Sequence, residues 1–196
     1  MLKKFSFLFI LSFITFLGFA QQTISLDQAR EYRKTEDGIP ENVTYVKDTD
    51  NRLTQFTGTW KGYFKGKHYE FSFIKKIAFK FDEADTDELQ WDRILGWVTV
   101  KDSASGQLIF SNSSETESQT RLFGTYFLKN SRTYVMSFVG QCYNEAGDVF
   151  ISIDKDNSNK MQLSFAITPD LQSDDCPNGF DPILPISPQH VILTKQ

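Results

Sequence analysis

Phe56-Thr57-Gly58-Thr59-Trp60-Lys61-Gly62-Tyr63-Phe64-Lys65-Gly66-Lys67-His68-Tyr69-Glu70-Phe71-Ser72-Phe73-Ile74-Lys75-Lys76-Ile77-Ala78-Phe79-Lys80-Phe81 is the stretch that decides the fold. Its residues alternate with a period of two. Phe56, Gly58, Trp60, Gly62 and Phe64 share one face, and Thr57, Thr59, Lys61 and Lys65 share the other with Tyr63. After a turn at Gly66-Lys67, Tyr69, Phe71, Phe73, Ile77, Phe79 and Phe81 alternate with Glu70, Ser72, Lys76 and Lys80. Successive side chains of a strand point to opposite faces, so this pattern predicts half-buried strands. The second part is long enough for one bent strand or two, with the bend at Lys75-Lys76.

Outward from this stretch, shorter strands are predicted at Arg93–Lys101, Gln107–Ser111, Thr120–Leu128, Thr133–Val139, Asp148–Ile153, Met161–Thr168 and His190–Lys195. Turn chemistry separates them at residues 102–106, 129–131, 144–147 and 154–159. Ser111–Thr120 reads as a polar, mobile loop. Pro169–Pro188 holds five of the six prolines and reads as a long connection. Many short strands with regular turns predict a barrel or a β-sandwich. Residues 21–55 read as an irregular N-terminal segment with a short helical turn. Ser25 and Gln28 there have the spacing of a capping box ahead of Ala29-Arg30-Glu31-Tyr32, and Asp48 or Asp50 is placed to cap a turn through Gln55. Residues 56–196 form the predicted β-domain.

The first 20 residues have the three parts of a secretory signal peptide. Lys3 and Lys4 precede an apolar run from Phe5 to Phe16, and Gly18 and Ala20 supply a small-x-small cleavage site. The run is shorter than the ~20 residues that span a bilayer. Cleavage is expected between Ala20 and Gln21, with no membrane span in the mature chain, and the product is expected in the periplasm or outside the cell. The formal charge of −4 includes Lys3 and Lys4, so the remainder is more acidic. An acidic chain without a basic, aromatic-studded patch is not expected to bind nucleic acid. Cys142 and Cys176 are the two cysteines. In an oxidising compartment they are expected to pair, closing a loop worth about 3–4 kcal/mol in chain entropy.

Two resemblances attach to Phe56–Trp60. Gly58-Thr59-Trp60, opening a first strand just after a helical turn, is similar to the start of a lipocalin-like barrel, in which the tryptophan plugs one end. That group's arginine over the tryptophan has no counterpart here, and Lys195 is the residue available for its place. No Thr-Asp-Tyr-type turn is found. The longer stretch Tyr45–Gly62, with Arg93-Ile94-Leu95-Gly96-Trp97, Val100-Lys101-Asp102 and His190–Gln196, resembles a family of exported bacterial proteins of unknown function, which implies compartment and β-fold and carries no catalytic residues. The expected fold is thus all-β, an antiparallel up-and-down lipocalin-like barrel of about 8–10 strands, with Gly58 and Trp60 as structural residues.

No catalytic constellation is found. G-x-S-x-G, H-E-x-x-H and P-loop spacing are missing. His68 and His190 are the two histidines, fewer than the three or four ligands a metal site normally needs. Asp82, Glu83, Asp85, Asp87 and Glu88 read as a solvated loop. Asp154, Asp156 and Ser158 imitate half a calcium loop, but Asn159 and Phe165 stand where Gly and Glu are required. No cofactor, metal or catalytic residue is therefore assigned. Most of the 19 Phe, and all seven Tyr and three Trp, lie beyond residue 20. Aromatics line ligand-holding barrels and also fill ordinary cores. The leading expectation is binding of a small apolar ligand, with Tyr69, Phe71, Phe73 and Phe79 as the ligand-binding candidates. The alternative is a cell-envelope protein-interaction module with a filled core, and a hydrolase comes third.

Overall fold

The structure is a computed structural model that describes residues 22–82, 89–140, 145–168 and 181–196. In chain order it contains β1 (Gln22–Ser25), α1 (Leu26–Tyr32), β2 (Val43–Lys47), β3 (Gly58–Phe64), β4 (Lys67–Phe79), β5 (Gln90–Asp102), β6 (Leu108–Ser111), β7 (Leu122–Phe127), β8 (Tyr134–Val139), β9 (Ala146–Ile153), β10 (Lys160–Ile167) and β11 (Val191–Lys195). Among the described residues, no helix is long and apolar enough to cross a membrane.

One sheet closes on itself. Its path runs β5-β4-β3-β11-β10-β9-β8-β7 and returns to β5, so eight antiparallel strands make an up-and-down barrel. The expected barrel is therefore present, and the alternative of two packed sheets is not. The β3–β4 hairpin starts it. Lys65 and Gly66, at φ of 46° and 75°, are the two central residues of its turn, one position earlier than expected. Positive φ at both positions matches the twist of the flanking strands. β3 then pairs with β11, Gly62 opposite Leu193 and Trp60 opposite Lys195. Here the backbones approach so closely that a Cβ on Gly62 would lie 2.4 Å from the Ile192 carbonyl oxygen.

The seam between β5 and β7 is short, with Leu95 opposite Phe123 and Gly96 opposite Leu122. Side chains continue it where backbone pairing stops. Asn112 accepts from the Val98 amide at 2.7 Å, and Thr120 donates to the Gly96 carbonyl at 2.6 Å. Both are buried, so the expected polar loop at residues 111–120 is tied to the barrel at each end.

The stretch expected to be irregular, residues 21–55, holds two strands and a helix. β1 pairs in parallel with β2, and β2 with the start of β5. The capping box is present, with Gln28 N–H on Ser25 Oγ at 3.2 Å and Ser25 N–H on Gln28 Oε1 at 2.8 Å. Ile24, Leu26, Ala29, Val43 and Val46 share one hydrophobic core with the barrel interior, so no core boundary falls at residue 55. Asp48 is the residue that caps the following turn, accepting from the Arg52 and Leu53 amides at 2.8 and 2.9 Å.

The bend in β4 lies beyond Lys75-Lys76. Register shifts between Lys76 and Phe79, with Ala78 at φ 50° and Ile77 turned out to solvent. Such a bulge bends the strand and sharpens its twist. The barrel end next to it is sealed. Trp60 is fully buried and its indole N–H donates to the Phe56 carbonyl at 2.8 Å. Lys195 Nζ lies 5.2 Å from the Trp60 ring, where the resemblance leaves an arginine missing. Phe56 packs on Phe127 and Tyr134, and the Arg52 guanidinium covers the Phe127 ring at 3.6 Å.

Candidate functional site

The four aromatics singled out in the sequence separate into two places. Tyr69, Phe71 and Phe73 follow one another on the inner face of β4, all buried, with ring centroids 6.3 and 5.6 Å apart in near-parallel stacks. Phe110, Phe138 and Phe165 pack edge to face across the same interior. Phe79 lies beyond the bulge and half-buried on the outside, edge-on to Phe81 at 5.1 Å. It walls a surface depression with Lys80, Thr116 and Glu117. Gly58, at φ 115°, opens β3 beside the Lys195 side chain, and Trp60 plugs the sealed end.

The open end of the barrel carries a cleft. Residues 181–188 cross it as a strap. The Phe165 amide donates to the Pro185 carbonyl and the Ser187 amide to the Phe165 carbonyl, both at 2.8 Å, which lays the strap alongside β10. Within the strap, Ile183 and Leu184 are buried. The Ile183 amide donates to the buried Glu145 carboxylate. Across the opening, Lys67 Nζ donates to the Pro182 carbonyl at 2.7 Å and pairs with Asp181 at 2.7 Å. The Tyr69 hydroxyl donates to the Ile183 carbonyl at 3.0 Å. Burial pushes the Tyr69 phenol above its ordinary pKa, with the Asp181 and Glu145 charges adding to the shift, so it stays a neutral donor.

Between the β3–β4 hairpin and this strap lies a cleft of about 490 Å³. Phe64, Tyr69, Leu184, Pro185 and Ile186 form its apolar wall, Lys65 and Lys67 stand on the hairpin side, and Asp181 also lines it, paired to Lys67. Barrel mouths are a preferred place for small-molecule sites, and this volume lies within the usual range. The arrangement suits a molecule with an apolar body and one anionic end. Ser187 and Tyr69 supply the hydroxyls of the lining, which contains no histidine among the described residues.

Tyr69 is the one ligand-binding candidate from the sequence that reaches this cleft, from its inner end. Sequence reasoning missed the strap. Its signal was the apolar triplet Ile183, Leu184 and Ile186 set among prolines, a pattern with no strand or helix period.

His68 stacks on the outward-facing Tyr63 ring at 4.5 Å, and His190 is exposed ahead of β11. Among the described residues no three potential metal ligands cluster. Asp154 accepts from the Asp156 and Asn157 amides at 2.8 and 3.0 Å, which makes its segment a hairpin turn. Ala20 and Gln21, Cys142 and Cys176, and the carboxylates from Glu83 to Glu88 lie outside the described residues. Comparison with protein-family models, with curated proteins and with solved structures finds no match.

Proposed function

We propose that the protein binds a small apolar ligand carrying an anionic group, at the barrel mouth and not in the barrel interior. The observation that carries this reading is the cleft of about 490 Å³ between the β3–β4 hairpin and the strap. An alkyl or aryl body would lie against Phe64, Leu184 and Ile186. A carboxylate would face Lys65, because Lys67 is already paired with Asp181. Covering roughly 250 Å² of apolar ligand surface at about 25 cal/mol per Å² supplies about 6 kcal/mol before the cost of association. A dissociation constant on the order of tens of micromolar is then the tightest that burial alone supports.

A second reading, recognition of an envelope partner through the outer surface, draws support from the interior stack of Tyr69, Phe71 and Phe73. The hydrolase reading draws none from this lining.

Titration with decanoate, read by calorimetry and by native mass spectrometry, tests the proposal. Saturable one-to-one binding is expected, weakened about tenfold or more by Phe64→Glu or Ile186→Glu, each of which sets a like charge against the ligand. Binding that survives both substitutions, or no saturable binding of decanoate and of aromatic carboxylates alike, refutes a site at the mouth.

A further inference from the structure

Four large hydrophobic side chains are strongly exposed among the described residues, namely Tyr63 (70%), Ile77 (71%), Leu108 (57%) and Ile192 (43%). Three of them lie on one line. Tyr63 stands opposite His68, His68 opposite Lys101, and Lys101 opposite Leu108. On the other side, the β3–β11 register that sets Gly62 against Leu193 brings Ile192 beside Tyr63. The outer face therefore carries the row Ile192, Tyr63, His68, Lys101, Leu108 across five strands. At about 4.8 Å per strand it runs about 20 Å. It lies at the mouth end, with Tyr63 next to the cleft-lining Phe64.

Ordinary alternation fills an outward face with polar residues. Here a tyrosine, an isoleucine and a leucine replace them, and cations stand among them. Lys101 and Lys65 are exposed and, among the described residues, neither has an ion-pair partner. Glu70, in the next row, is paired to Lys61 at 3.0 Å. Asp102 is held by the Ser105 and Ala104 amides, and those hydrogen bonds keep its carboxyl below the usual range. The row itself contains no carboxylate, on a chain whose net charge is −4. Apolar and aromatic knobs with free ammonium groups beside them match a lipid interface with anionic headgroups.

We propose that this rim is a membrane-docking surface that seats the mouth of the barrel on an anionic bilayer. The knobs are set along the outer face of a closed barrel, in a row that crosses five different strands. A second copy docked face to face would gather the Lys65 and Lys101 cations of both copies into one interface with no carboxylate of the row to meet them. A bilayer accepts separate knobs without a complementary shape and supplies the negative charge. The proposal goes beyond ligand binding at the mouth and does not need the cleft to be filled.

Sedimentation of the purified protein with vesicles tests it, using phosphatidylglycerol mixed equally with phosphatidylcholine against phosphatidylcholine alone. Binding to the anionic vesicles is expected, weakening as salt rises. The triple variant Tyr63→Ser/Leu108→Ser/Ile192→Ser is expected to bind about tenfold more weakly or worse, and Lys101→Glu about 25-fold more weakly, since each unit of charge near such a surface is worth roughly a fivefold change and the reversal changes two. Should the triple variant fail to fold, Lys101→Glu decides alone, because its side chain is exposed and unpaired. No binding to anionic vesicles, equal binding to neutral ones, or variants that bind as the parent does would overturn the proposal. So would a dimer in light scattering that the triple variant abolishes. The triple variant leaves the cleft lining intact, so its decanoate binding stays at the parental level whether or not the rim docks on lipid.

Discussion

Replacing Asp92 by asparagine is the substitution whose cost can be worked out most directly. Asp92 is 3% exposed at the start of the β5 ladder. One carboxylate oxygen accepts the Tyr45 hydroxyl at 2.6 Å and the Ala78 amide at 3.0 Å, and the other accepts the Asp48 amide at 3.0 Å. These three bonds join the N-terminal flange, the β4 bulge and the barrel wall. Asparagine keeps the shape and one acceptor. With its oxygen turned to Tyr45 and Ala78, its NH₂ faces the Asp48 N–H, so one charge-assisted bond is lost and two donors oppose each other. A hydrogen bond to a charged group contributes about 1.5–3 kcal/mol, and a stranded buried amide costs about 1–3 kcal/mol. The expected loss for Asp92→Asn is about 2–4 kcal/mol, a melting point lower by roughly 4–16 °C at this chain size. Tyr45→Phe removes one bond and leaves the carboxylate with two, for about 1.5–3 kcal/mol. Once Asp92→Asn is in place the same tyrosine bond is neutral, and the further cost of Tyr45→Phe should fall to about 1 kcal/mol. Urea unfolding followed by tryptophan fluorescence, with both single variants and the double, gives all three numbers. An Asp92→Asn cost below about 0.5 kcal/mol, the level of an ordinary surface change, would refute the account of Asp92 as the joint between flange and barrel.

Gly124→Ala is expected to cost about 1–3 kcal/mol, because a Cβ there would lie 2.2 Å from the buried Tyr134 hydroxyl and the ring is held against Phe56 and Phe127; the same urea titration reads it. Asp148→Asn should raise the melting point near neutral pH and leave it unchanged in acid. Burial holds the Asp148 carboxyl above its ordinary pKa, with the Arg33 charge pulling the other way, so its charge opposes folding above the folded-state pKa and that cost vanishes below the unfolded one. Melting curves of both proteins across pH check the sign, and a gain that persists in acid contradicts it.

What the sequence made legible was whatever carried a period or a local cap. β3 and the first half of β4 follow from strict alternation between Phe56 and Phe73. The Ser25–Gln28 box and the Asp48 cap are contacts within five residues, so their chemistry is complete in a short window. The rest depends on partners far along the chain. β1 and β2 are four and five residues long and find each other in parallel, with no period of their own to announce them. Lys75-Lys76 looked like the bend because two adjacent charges break the alternation, yet Lys75 reaches Asp48 at 2.8 Å and stays in register. The irregularity falls on Ile77-Ala78, where an exposed isoleucine had looked like a core position. Asn112 and Thr120 looked like loop polarity because their β5 partners, Val98 and Gly96, lie 14 and 24 residues away. The candidate site was legible only as far as Tyr69. Its other wall is a segment whose conformation comes from Lys67, Phe165 and Glu145.

Under the binding proposal, the distribution of aromatic side chains favours the mouth over the interior. An interior site would have to be opened against existing interactions. Phe71 would leave two ring stacks, and Tyr69 would give up the Ile183 carbonyl while its hydroxyl stays buried. Each aromatic pair is worth about 0.5–1.5 kcal/mol beyond burial, and a stranded hydroxyl costs about 1–3 kcal/mol, so entry would consume much of what an apolar ligand of this size can return. The sealed end offers no easier route, since Trp60, Phe56 and Arg52 close it through a hydrogen bond, ring packing and a guanidinium face. At the mouth the cost is different. The cleft already exists between hairpin and strap, and a ligand there adds contacts to Phe64 and Ile186 without dismantling any. Tyr69 thus works as a floor: it belongs to the core stack through its ring and to the strap through its hydroxyl, and it lies between that stack and the cleft.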